Sequence, residues 1–173
     1  MAVSAEFSMK LSVASTGTTV FGQTPQWSGE IAHLLSLSNG TTAGKFDLLY
    51  IGERTVASAT NDDIDISGVL VAPHGGIVTA VELVGVVIVN KKKDGTANTT
   101  TLSLGGGSNP VVGFLSGTTP VVTNIGPGGT FVLFSPDASG LGAVTASTGD
   151  ILRVANSSGA SATYQIALLA RTA

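Results

Sequence analysis

The amino-acid sequence predicts an all-β fold: a jelly-roll-like β-sandwich or barrel with an extended N-terminal arm. Three observations predict it. Apolar and polar residues alternate over short runs, the period of a strand. Val, Ile and Thr dominate the apolar runs, which favours strand over helix. Clusters of Gly, Pro and Asn interrupt the runs about every ten residues, as in sandwiches and barrels. The 173 residues, 43% of them apolar, suffice for one domain with a real core. A single β domain is expected over 1–173, with residues 16–30 as an extended arm or long loop.

Taken in order, Glu6–Ala14 alternates strictly, with Phe7, Met9, Leu11 and Val13 on one face, and reads as a half-buried strand. Gly17–Trp27 has no sustained period. Ile31–Leu37 is ambiguous, because Ile31, Leu34 and Leu35 fit a helical turn. Phe46–Ile51 has the short apolar run of a buried strand, and Arg54–Ala59 alternates weakly. Asp63–Ile66 is a compact strand with one apolar and one acidic face. Ser67–Val71 leads into the Pro73-His74-Gly75-Gly76 turn. Ile77–Val89 is the strongest apolar segment. With Asn98–Leu104 it is expected to form a hairpin, turned by Asp94-Gly95 and tipped by lysines. Val111–Leu115, Val121–Ile125, Thr130–Phe134, Ile151–Ala155 and Thr163–Leu169 complete the strands.

Composition excludes several classes. There is no cysteine, hence no disulfide framework, no thiolate metal site and no thiol nucleophile. A net charge of −3 argues against a nucleic-acid partner held through phosphates. The thirteen-residue run Ile77–Val89 falls short of the about 20 residues of a membrane-spanning helix. No basic start leads into an apolar stretch, so synthesis in a cytoplasm is expected, and the sequons at Asn39, Asn98 and Asn156 carry no meaning there.

Charged residues make up 11%, against roughly 25% in an average soluble domain. From residue 96 onward they are Asp137, Asp150, Arg153 and Arg171 alone. A soluble monomer keeps ions on its surface and lysines on its sheet edges. Their scarcity favours coverage by neighbouring subunits over a wet, neutral Thr/Ser surface.

Candidate chemistry is sparse. His33 and His74 are the two near-neutral bases, and there is no Gly-x-Ser-x-Gly elbow, so no catalytic residue is assigned. The Gly105–Pro110 and Gly126–Gly129 loops lack the lysine and following helix of a phosphate loop and read as turns. Asn61–Asp65 gathers oxygen ligands as calcium requires, but no bidentate Glu closes the set, and a solvated acidic strand is the simpler reading. No metal or cofactor is assigned. Lys91, Lys92 and Lys93 offer contacts to an acidic partner, or merely solvate a turn. Trp27, the single tryptophan, either anchors to a neighbouring subunit or folds back on its own core.

Four segments together carry a resemblance: Ala57–Gly68, Gly105-Gly-Gly-Ser-Asn-Pro110, Pro127–Ala138 and Thr148–Asn156. The combination resembles a family of small tailed-bacteriophage virion proteins, over roughly residues 57–173. The resemblance implies a non-enzymatic head decoration, or cement, protein with a jelly-roll-like fold, made in the bacterial cytoplasm and bound to the capsid exterior. Its implied partners are the major capsid protein and its own copies, as a trimer, with no nucleic acid or membrane involved; Trp27 and Lys91–Lys93, outside the resembling motifs, are candidate contacts read from the residues themselves. Two rivals are a tail or fibre module binding carbohydrate, against which 5% aromatic content speaks, and a hydrolase using His33 or His74.

Overall fold

The computed structural model describes residues 2–111, 113 and 121–173, which contain no helix. The strands are β1 (Ala5–Thr16), β2 (Gln26–Asn39), β3 (Lys45–Phe46), β4 (Leu48–Val56), β5 (Asn61–Asp65), β6 (Ser67–Val71) and β7 (Ile77–Thr79). They continue with β8 (Glu82–Val89), β9 (Leu102–Gly105), β10 (Val121–Ile125), β11 (Thr130–Phe134), β12 (Gly142–Ala143), β13 (Ile151–Asn156) and β14 (Ala162–Arg171). The protein is all-β. The strand expected at Val111–Leu115 lies largely outside the described residues.

Two antiparallel sheets form the body. One has the order β11-β8-β14-β4, with β12 added beside β8; the other has the order β10-β9-β13-β5. Their inner faces share one core, in which Val86, Ile88 and Ile166 of the first sheet meet Leu102, Leu152 and Val154 of the second. Alternation explains the arrangement. Along β13 and the first part of β14 every second residue is buried, as a sandwich layer requires. The body strands pair in nested fashion: β4 with β14, β5 with β13, β8 with β11 and β9 with β10.

Polar groups fasten the layers. Arg54 on edge strand β4 donates two hydrogen bonds to Asp62 on edge strand β5, at 2.6 and 2.7 Å, and the buried Tyr164 hydroxyl donates to the same carboxylate. This clasp joins the open edges of the two sheets. Burial alone would raise the Asp62 pKa, but the hydrogen bonds from Arg54 and Tyr164 outweigh it and hold the carboxyl below its ordinary value. Asn90 Nδ2 donates to the carbonyls of Thr100 and Ile125, and Asn98 Nδ2 donates to Asn90 Oδ1 and to the Thr163 carbonyl. Arg171, fully buried, pairs with Glu82 and donates to the carbonyls of Lys45, Ala138 and Asp137.

One ambiguity is resolved and one expectation corrected. Ile31–Leu37, ambiguous in sequence, is strand. Pairing of Ile31 with Leu11 and of Leu35 with Phe7 sets a period of two, and Leu34 lies on the opposite face from Leu35. Ile77–Val89 and Asn98–Leu104 do not form a hairpin. The first run divides into β7 and β8, and β8 is already flanked by β11 and β14. The lysine turn therefore carries the chain across to the other sheet, where β9 joins β10 and β13. The buried Asn90–Asn98 pair satisfies the backbone at that crossing.

Candidate docking surface

β1 and β2 form a twelve-pair antiparallel hairpin, from Ala5 opposite Leu37 to Thr16 opposite Gln26. Segment 16–30 is thus the distal part of a hairpin that begins at Ala5. Its base packs on the outer face of the β11-β8-β14-β4 sheet. There Val3 and Leu37 join Phe46, Val84 and Leu169 in a second small core, with Leu35, Leu49 and Phe134 against it. The Phe7 and Phe134 rings meet with centroids 4.9 Å apart.

Beyond that base the hairpin leaves the body. Directly opposed residues share a face, so the register puts Met9, Leu11, Val13, Ile31 and Trp27 on the same side as Phe7 and Leu35. These five distal side chains are 43% to 62% exposed. The reverse side is polar, with Ser12 and the Lys10–Glu30 ion pair at 2.7 Å. The hairpin is an amphipathic ribbon whose apolar face has no cover in the single chain.

Trp27 sits on this apolar face, not on the core. Its ring lies over Gly29, where a Cβ would come within 2.6 Å of the indole. The tip is a two-residue turn between Val20 and Gln23, whose backbones exchange hydrogen bonds at 2.9 and 3.0 Å. Its central residues Phe21 and Gly22 have φ of 50° and 77°, as a type I′ turn demands. Phe21 is fully exposed. A left-handed, solvent-facing phenylalanine costs on the order of 1–2 kcal/mol and gains nothing inside the chain. Sequence reasoning missed it, because Phe-Gly is not a preferred hairpin-turn pair and Gly22 alone, between Val20-Phe21 and Gln23, marks the turn.

Lys91, Lys92 and Lys93 lie elsewhere, in the turn at the far end of the same sheet face. Lys92 N donates to the Thr96 carbonyl at 2.9 Å, closing the turn, and Lys93 N donates to Glu53 Oε2 at 2.7 Å. Lys91 and Lys92 are half-buried and Lys93 is exposed. Trp27 and the three lysines therefore belong to separate elements.

The other candidates disperse. His33 is on the hairpin and His74 in the β6–β7 turn, both exposed. Asp62 is engaged by Arg54, Asp63 by Arg153, and Asp65 accepts the Ser67 amide. Arg153 holds the Asp63 carboxyl below its ordinary value. Among the described residues, no group of three or more His, Asp or Glu is placed to hold a metal ion. Asn98 and Asn156 are buried, so neither sequon presents its amide to solvent.

The ion-poor second half supplies inner strands of both sheets as well as the edge strands β10 and β11. β9, β13 and β14 form the middle of the sandwich. Of the four charged residues there, Arg171 and Asp150 are buried and Arg153 is paired. Exposed large apolar residues lie before residue 82, Val121 excepted among the described residues. The apolar surface belongs to the first half, and chiefly to the hairpin.

Comparison with protein families, curated proteins and solved structures finds no significant match.

Proposed function

We propose that this chain is a non-enzymatic structural subunit of a tailed-phage particle. It is a head decoration protein held on the capsid exterior by the major capsid protein and by its own copies, as a trimer. The observation that carries this reading is the hairpin: a polar-backed ribbon presenting a largely apolar face, interrupted by His33 and Ser15, and an exposed phenylalanine tip from a fastened sandwich. An isolated two-stranded hairpin is marginal in water. A projecting one with this face is built to be covered.

The winding of the body supports the reading. Numbered along the chain, β4, β5, β8, β9, β10, β11, β13 and β14 pair first with last, second with seventh, third with sixth and fourth with fifth. We take this nested pairing across two four-stranded sheets as jelly-roll-like, the winding of many capsid and lectin domains. The lectin alternative asks for an aromatic platform ringed by hydrogen-bonding groups. Trp27 is paired with Ser15 and otherwise bordered by Val13, Gly29 and an apolar stripe, so it has one hydrogen-bonding neighbour instead of a ring of them, which favours a protein partner.

Mass spectrometry of purified particles tests the assignment. The expected result is this chain in fixed ratio to the major capsid protein, with shells lacking it more easily broken by heat. Its absence from particles, or its confinement to tails, overturns the assignment.

A further inference from the structure

The outer face of the β11-β8-β14-β4 sheet is only partly covered by the hairpin base. Beyond the base it continues as a trough of about 420 Å³, floored by Ile51, Val87 and Ala167 and rimmed by Glu53, Lys93 and Gln165. The same Ile51, Val87 and Ala167 line the groove between the hairpin base and the sheet. Trough and groove are therefore one apolar channel, half occupied by the chain's own hairpin base.

We infer that a second copy of this chain fills the trough with the distal, apolar face of its β1–β2 hairpin. Three observations single out this occupant. The first is continuity: the proximal part of the same hairpin face, through Phe7, Leu35 and Leu37, already packs on this same sheet face. The distal part repeats that chemistry yet leaves its own body, so it is free to reach another.

The second is area. Trp27, 62% exposed, leaves on the order of 100–150 Å² bare, and Met9, Leu11, Val13 and Ile31 add to it. The distal face thus approaches the few hundred Å² at which an apolar patch marks an interaction surface. The third is charge. The hairpin's apolar face carries neither carboxylate nor ammonium, since Lys10 and Glu30 pair on its reverse side, and its one titratable group is the exposed His33 opposite Met9. The trough floor is likewise uncharged, with Glu53 and Lys93 at its rim. The contact leaves no carboxylate or ammonium buried without a partner, the arrangement that avoids a large desolvation cost.

Each copy has one hairpin and one trough, so the exchange closes either reciprocally about a twofold axis or head to tail around a ring. The proposed trimer requires the head-to-tail form. This inference goes beyond the particle assignment, because it concerns the contact between copies and is tested on the purified chain alone.

The chain has no cysteine, so introduced thiols are unique. Leu11→Cys and Ile51→Cys chains, distinguished by mass, are mixed and oxidised. The expected product is a mixed disulfide dimer far in excess of the dimers that either variant forms alone. In parallel, light scattering reads the wild type as a closed oligomer and the L11E/I31E double variant as a monomer with unchanged far-UV circular dichroism. A wild type that is monomeric at micromolar concentration overturns the inference. So does an oligomer that persists in L11E/I31E without forming the mixed disulfide.

Discussion

The ring of Phe134 lies against Gly85, so close that a Cβ on Gly85 would come within 2.3 Å of the ring. The two residues are paired across β11 and β8, and the missing side chain makes the seat in which Phe134 receives Phe7. This seat fixes the hairpin to the sandwich. Gly85→Ala is expected to displace Phe134, destabilise the protein by about 1–3 kcal/mol through overpacking, and loosen the hairpin base. Chemical denaturation measures the first effect, and faster amide exchange at Ala5–Phe7 and Leu35–Leu37 measures the second.

The clasp of Arg54, Asp62 and Tyr164 makes stability depend on acid. Because the folded Asp62 pKa lies below its unfolded value of about 3.9, its contribution is complete above that value and is lost as the pH falls through the folded one. Asp63, held down by Arg153, acts in the same direction. Asp62→Asn is expected to cost about 2 kcal/mol at neutral pH, as for a charged hydrogen-bonded partner. It also flattens the fall in stability below about pH 4. Urea titrations of both proteins across that range read both effects.

Arg171 is the costliest side chain to remove. Arg171→Met leaves Glu82 and the carbonyls of Lys45, Asp137 and Ala138 without their donor. The expected loss is about 3–5 kcal/mol, the range for breaking a buried ion pair. Lys10→Ala removes the exposed pair with Glu30 and is expected to cost under about 1 kcal/mol. Thermal melts of the two variants side by side check the contrast.

Much of the body was legible in the sequence, because its strands carry the local signals that sheets require. Thr130–Phe134, Ile151–Ala155 and Thr163–Leu169 alternate between turn clusters, and each is a strand. Pairing was not legible, because strand sequence encodes burial but not neighbours. Asp94-Gly95 marked a turn correctly, yet the turn joins two sheets instead of two partners, a choice made by β11 and β14 occupying both sides of β8. Ile31–Leu37 was ambiguous because Leu34 is apolar on the polar face of the hairpin, imitating a helical spacing. Trp27 was visible as a lone aromatic in an arm, whereas Phe21 gains its meaning only from full exposure and a positive φ.

The distal hairpin has no tertiary cover in the single chain, so its backbone hydrogen bonds open without unfolding the sandwich. Amides from Met9 to Ile31 are expected to exchange quickly in the dispersed chain, and about tenfold or more slowly in the assembled state. Trp27, the single tryptophan, reports the same event by a blue shift of its emission and reduced quenching by acrylamide.

The central claim is that the apolar hairpin is the element through which this protein joins its assembly. Co-sedimentation with capsids lacking the protein tests it most directly, comparing the wild type with a chain in which a two-residue turn replaces residues 9–33. The account predicts that the trimmed chain keeps its sandwich, by circular dichroism, and stays in the supernatant while the wild type pellets with the shells. Equal binding by the trimmed chain would contradict it.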